Sequence, residues 1–323
     1  MFQTELHRWL QTFNAPVIEY VMRAISLFGE EEFYALLMLV VIFGVDRKKG
    51  FLLTQVLLWV ALTTAVLKSA FALPRPVDVD ALVQDIPGER NVPTPFTGRG
   101  ASGIFDLLPP DVVAYFRAQP HISFGFPSGH CSTSVATCGS AAILFRRTWL
   151  IWATVAMIVL MPLSRMYLGR HFLSDVLGGL VLGLLFILAA ILIDRTRGSA
   201  TEGAVRRSIP YVLLFILPAG CIFALPAASG EAAMLLGVNL GKTLSDRMLP
   251  DPGPRGLALR LLSITIAALS FFGIAIGLAM LASAVRPGDP AHPSTILRVL
   301  APCLAIILAT KAEALIYHRR THA

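Results

Sequence analysis

The chain has 323 residues, 55% of them hydrophobic and only 15% charged, with a mean hydropathy of +0.70. Roughly a quarter of the residues in a soluble domain are charged, so this composition excludes an ordinary soluble enzyme and implies an all-α, polytopic transmembrane helical bundle. The net charge of +7 does not point to nucleic acid, because the basic residues stand in short groups at the ends of apolar segments.

Residues 1–30 read as an interfacial amphipathic segment. Leu6, Trp9, Leu10 and Phe13, then Val17, Ile18, Val21 and Ile25, recur at helical spacing on either side of Asn14-Ala15-Pro16. Two short helices at the membrane interface are expected, with a soluble N-terminal arm as the alternative. Glu5, His7, Arg8 and Gln11 interrupt the apolar core that a cleavable signal would need.

Residues 31–195 form the expected catalytic membrane core. Its first span covers about 33–45 and its second about 51–73, where Pro74-Arg75-Pro76 stops the helix. A long polar loop, 77–125, follows. It is the candidate lid or substrate-selecting element, with a short helix predicted over Asp106 to Phe116. Further spans are predicted at 127–145, 149–168 and 172–193. Residues 196–323 form a C-terminal transmembrane extension: two spans within 209–245, turning near Pro226, then 257–285 and 295–317.

The total is about nine spans. With nine, Arg47-Lys48-Lys49, Arg146-Arg147, Arg195 to Arg207, Arg247 to Arg260 and Arg319-Arg320 share one side, which should be cytoplasmic. The long loop and the polar helix ends then face the extracytoplasmic side of a membrane, expected to be a bacterial inner membrane. Gly179-x-x-x-Gly183, Gly237-x-x-x-Gly241 and Gly273-x-x-x-Gly277 offer small faces for helix packing. Cys131, Cys138, Cys221 and Cys303 lie in apolar segments without metal-ligand spacing and read as buried apolar residues.

The unusual polar residues all come out at one level of the bundle. Lys68 and Arg75 flank the end of the second span, and Ser128, Gly129 and His130 open the third. Arg165 ends the fourth, and His171 and Asp175 begin the fifth. Lys68, Arg75 and Arg165 beside a helix N-terminus suit an oxyanion such as phosphate. Ser128 adds a hydroxyl, and Gly129 permits close backbone approach. His171 and Asp175 are four apart, so on a helix the carboxylate can orient the imidazole as nucleophile. His130 is placed to protonate the leaving oxygen and then to activate water.

These residues match a known pattern. Lys68-(six residues)-Arg75-Pro76, Pro127-Ser128-Gly129-His130 and Ser164-Arg165-(five residues)-His171-(three residues)-Asp175 resemble the three-part signature of the type 2 phosphatidic acid phosphatase (PAP2) superfamily. That resemblance implies His171 as nucleophile, His130 as general acid and Asp175 as orienter. It implies phosphate binding by Lys68, Arg75, Ser128, Gly129 and Arg165, with no metal and no cofactor. The nine-span layout is similar to the glucose-6-phosphatase branch, whereas bacterial lipid phosphatases of the superfamily commonly have about six.

The expected function is a metal-independent phosphatase acting on a lipid phosphate or diphosphate through a phosphohistidine intermediate. Its expected partners are that substrate and membrane lipids, without nucleic acid. A sugar-phosphate phosphatase, a lipid phosphotransferase and a non-catalytic anion carrier are the alternatives. A metal site built from His121, His130, His171 and Asp175 is disfavoured by the three cations beside it. Gly237-Val-Asn-Leu-Gly241-Lys242-Thr243 fails as a phosphate loop, which needs four residues between its glycines and a preceding strand.

Overall fold

The computed structural model describes residues 1–86, 94–119, 123–196, 212–248, 256–285 and 295–321. His121 and most of the basic stretch from Arg195 to Arg207 lie outside these residues. Among the described residues the regular structure is helical, with no strand. In chain order the helices are α1 (Glu5–Gln11), α2 (Pro16–Leu27), α3 (Glu31–Val40), α4 (Arg47–Phe71), α5 (Pro76–Val79) and α6 (Pro110–Arg117). There follow α7 (Gly129–Phe145), α8 (Thr148–Tyr167), α9 (Leu173–Thr196), α10 (Leu217–Ala224), α11 (Ser229–Met248), α12 (Leu257–Val285) and α13 (Thr295–Thr321).

Four described segments are long and apolar enough to cross a membrane: Arg47–Val79, Thr148–Tyr167, Leu173–Leu192 and Leu257–Gly277. The other segments expected to cross are helical but shorter or more polar. The first, α3, has ten residues extended by a π-helical turn, Val41–Val45, and α7 has seventeen. Val212–Ala224 is a shorter apolar helix, while α11 and α13 carry charged residues such as Lys242, Asp246, Arg298 and Glu313.

The chain packs as two compact units. One comprises Met1–Tyr34 with Thr63–Gly198, the other Ala35–Leu62 with Ser199–Ala323. In the first unit, α7 lies against α8 and α9, and α2 lies across α8. Gly179 and Gly183 make the α7–α9 approach possible. A Cβ on Gly179 would stand 2.5 Å from the Ser128 carbonyl oxygen, and one on Gly183 3.0 Å from Val135 Cβ. The small-residue stripe of α9 therefore brings the start of α7 against it.

The N-terminal helices form where the periodicity places them, with Pro16 opening α2 at a position that needs no amide donor. Trp9, Phe13, Val17, Tyr20 and Leu27 remain exposed on these two helices. The opposite face packs inward. Leu10 joins Tyr167 and Leu168 in a buried cluster bordered by Leu6, Ile18 and Met22.

The long loop has its own core. Phe2, Val79, Ala101, Leu108, Val112, Val113, Phe116 and Phe172 bury one another. Its helix α6 starts at Pro110 rather than Asp106, because Pro110 occupies the first helical turn. Arg117 from α6 donates to the carbonyl oxygens of Phe71 (2.8 Å) and Ala72 (3.3 Å), capping α4 where Ala72 takes a left-handed φ of 47°. The loop thereby fixes the end of the helix that carries Lys68.

In the second unit, α11 packs on α13 through Gly237 and Gly241, where added Cβ atoms would meet Val299 O at 2.3 Å and Cys303 Cα at 2.9 Å. Gly273 and Gly277 have nothing within 4 Å, so their stripe faces open space. Polar side chains inside this unit are joined. Gln55 donates to Asn239 Oδ1 at 2.6 Å, and Arg47 donates to Thr310 at 2.7 Å and lies 3.8 Å from Glu313. Lys242 sits within α11, paired with Asp246 and over the Phe51 ring, away from any phosphate-loop geometry.

Candidate active site

Ser128 stands at the N-cap of α7 and is fully buried. Its amide donates to the Asp175 carbonyl oxygen at 2.9 Å, which ties the Pro-Ser-Gly-His segment to the start of α9. The first free amides of α7 thus open beside the His171–Asp175 pair. Gly125 completes the close packing: a Cβ there would stand 2.7 Å from Asp175 Oδ2.

His171 follows the turn after α8 and is 2% exposed, so its surroundings decide its charge. Asp175 Oδ2 lies 3.4 Å from His171 Nδ1 and accepts the Phe172 amide at 2.9 Å. The carboxylate is therefore held by the backbone and faces one ring nitrogen. Burial, then Arg75, Lys68, Arg165 and His130, push the His171 imidazole well below its ordinary value. At neutral pH the ring is uncharged, the state a nucleophile requires.

The cations are positioned from different elements. Arg75 donates through Nε to the Ser123 carbonyl oxygen at 3.0 Å and through Nη2 to its hydroxyl at 2.7 Å, while its amide donates to Asp78 at 2.7 Å. Lys68 Nζ donates to the Phe124 carbonyl oxygen at 3.0 Å. Arg165, 6% exposed, donates from Nη1 to the Ser26 hydroxyl. Among the described residues, Arg165 Nε and Ser128 Oγ are buried without a hydrogen-bond partner. Such donors are costly in an apolar interior unless an anion accepts from them.

His130, near the N-terminus of α7, is more open, with its side chain 20% exposed. Its Nε2 donates to Glu30 Oε1 at 3.0 Å. Glu30 is outside every motif recognised in the sequence, where Glu30-Glu31-Glu32 reads as an acidic helix start. The hydrogen bond from His130 holds the Glu30 carboxyl below its usual range against the opposing effect of burial, and the charges of His130, Arg165 and Arg170 add to this.

Other contributors were equally invisible to spacing. Ser26 and Ser123 hold the two arginines, and His7 from α1 donates through Nε2 to the His171 carbonyl oxygen at 2.8 Å. Of the other polar residues before His171, Arg170 lies 3.0 Å from Asp85, and Tyr167 donates to the Phe13 carbonyl oxygen at 3.0 Å. No group of three or more His, Cys, Asp or Glu side chains converges in metal-ligand fashion among the described residues.

Residues 49–199 match the PAP2 superfamily, a stretch that contains Lys68, Arg75, His130, Arg165, His171 and Asp175. Over 80 residues the chain is 34% identical to a lipid A 4'-phosphatase of Porphyromonas gingivalis, covering 23% of this chain and 33% of that one. The chain thus spans about a third of the length of this curated relative. No solved structure matches it significantly.

Proposed function

We propose, from the PAP2 superfamily domain at residues 49–199, that the protein is a membrane-integral lipid phosphate phosphatase. The observation that carries this reading is the buried His171, 3.4 Å from the Asp175 carboxylate and within the electrostatic influence of Arg75, Lys68 and Arg165. A carrier would need the cations alone.

In the proposed reaction, the three cations and the α7 amides neutralise the equatorial oxygens of the phosphoryl group. His171 attacks phosphorus through the nitrogen facing away from Asp175, and His130 donates a proton to the leaving alkoxide. The resulting phosphohistidine is hydrolysed by water that His130, now unprotonated, activates. No metal takes part, because the fixed cations supply the charge. The site faces the extracytoplasmic side of the membrane, supported by the basic segment ends assigned to the opposite side.

A phosphorylated lipid suits a site at helix ends, where a headgroup enters while the chains stay in the bilayer. The P. gingivalis relative, named for lipid A, favours this class over soluble sugar phosphates. Phosphatidic acid, phosphatidylglycerophosphate, polyprenyl diphosphate, a sphingoid base phosphate and a lipid A-type glycolipid form the substrate panel.

Purified protein in detergent, offered this panel beside glucose 6-phosphate, should release phosphate from a lipid, undiminished by excess chelator. Quenching in alkali should trap a phosphorylated protein that His171→Ala lacks. Equal phosphate release by His171→Ala, or a preference for the sugar phosphate, would sink the reading.

A further inference from the structure

We infer that Glu30 is a positioning residue for His130, so the loop between α2 and α3, outside the matched 49–199 region, completes the active site. The inference rests on the phosphatase reading for the role of His130, but not for the contact itself.

Three observations converge on this loop. Glu30 Oε1 accepts from His130 Nε2 at 3.0 Å across 100 residues of chain. Gly29 lies against the imidazole so closely that a Cβ there would stand 2.3 Å from His130 Cδ2. The preceding turn of α2 serves the same site. Its Ser26 hydroxyl receives the Arg165 guanidinium, and the Met22 carbonyl oxygen receives the Ser164 hydroxyl at 2.6 Å.

The ring therefore sits in a glycine-floored slot with a carboxylate at its end. This is the geometry by which an acid holds an imidazole in one orientation and favours its protonated form. The remaining charged groups facing His130 are Arg165 from α8 and Lys68 from α4, with His171 from the turn before α9. Lys68 and Arg165 disfavour a charge on the ring, and the Glu30 carboxylate, as its hydrogen-bond partner, favours one. A general acid placed beside two fixed cations needs such a partner to raise the pH at which it gives up its proton.

The charge logic sets the sign of the test. Removing the negative charge disfavours the imidazolium, so His130 loses its proton at lower pH. The alkaline limb of kcat/KM, which reports the protonated acid, then moves down. Glu30→Gln should lower kcat about tenfold, part of the roughly hundredfold or more that a general acid contributes, with KM little changed. The alkaline limb should fall by about one pH unit, and Glu30→Asp should restore part of both losses.

Nitrogen-15 histidine NMR on the detergent-purified protein follows the His130 ring without turnover, and its titration midpoint should fall in Glu30→Gln. Superimposable pH profiles and equal midpoints in wild type and Glu30→Gln would overturn the inference while leaving the phosphatase reading intact. A lower midpoint in Glu30→Gln, together with a wild-type protein that releases no phosphate, would do the reverse. It would establish the Glu30–His130 coupling and remove the phosphatase reading.

Discussion

His7 Nε2 donates to the carbonyl oxygen of His171 at 2.8 Å, joining residues 164 apart in the chain. The same ring meets Phe172 edge-on, with centroids 5.5 Å apart. The first helix of the protein thus fixes the backbone of the residue proposed as nucleophile. His7 itself is fully buried, and burial pushes its imidazole below the ordinary value, so it stays neutral and keeps the tautomer that donates.

Replacing His7 with Phe keeps a ring against Phe172 but leaves a buried carbonyl unpaired. An unsatisfied group of this kind costs about 1–3 kcal/mol. Thermal unfolding in detergent should show a lower Tm, and phosphate release should slow because His171 is less well held. An unchanged Tm together with an unchanged kcat would show that the contact contributes nothing.

The pH profile provides an independent check on His171. Because its imidazole is held below the ordinary value, the proposed nucleophile is deprotonated already near neutrality. The acid limb of kcat/KM should therefore lie below about pH 6.5, the unperturbed histidine value. Lys68 is among the cations that lower it, so Lys68→Gln should move that limb to higher pH. An acid limb at or above the unperturbed value in the wild type would contradict the assignment.

Arg75 and Ser123 form a pair whose energetics can be separated by steady-state kinetics. Ser123→Ala removes the hydroxyl that receives Nη2 but retains the carbonyl that receives Nε. Loss of one such bond is worth about 1 kcal/mol, roughly a fivefold fall in kcat/KM. Arg75→Lys loses the planar fork altogether and should fall further. A Ser123→Ala loss that persists undiminished in the Arg75→Lys background would mean that Ser123 does not act through the arginine.

Two glycines in apparently similar motifs should behave oppositely. Gly179→Ala places a methyl 2.5 Å from the Ser128 carbonyl oxygen, so the start of α7 must move. Overpacking of this kind costs about 1–3 kcal/mol and here should also reduce activity. Gly273→Ala meets nothing within 4 Å. It should be neutral or stabilise by up to about 1 kcal/mol through helix propensity. Matching Tm changes for the two variants would refute the packing argument.

The helical architecture and its apolar spans were legible in the chain itself, and so was the candidate site that the sequence proposes. Hydropathy reports whether a segment prefers lipid. Helical spacing places Asp175 on the same face as His171, because four residues make about one turn. Lys68, Arg75, Ser128 and Arg165 could be read because each sits at a helix end that an apolar run and a proline, glycine or arginine delimit. These are local properties, decided within a few residues.

Glu30, Ser26, Ser123 and His7 were not legible, although each touches a residue of the site. Their partners lie between 48 and 164 residues away. A lone serine or glutamate carries no periodicity that announces such a partner. Whether Glu30 meets His130 depends on the path of α2 over α8 and on the missing side chain of Gly29, and neither is encoded by local spacing. The sequence by itself determined which groups are candidates to act on phosphate. Only the tertiary structure decided what holds them still, because a hydrogen bond is made by atoms within about 3 Å in space, however far apart they lie in the chain.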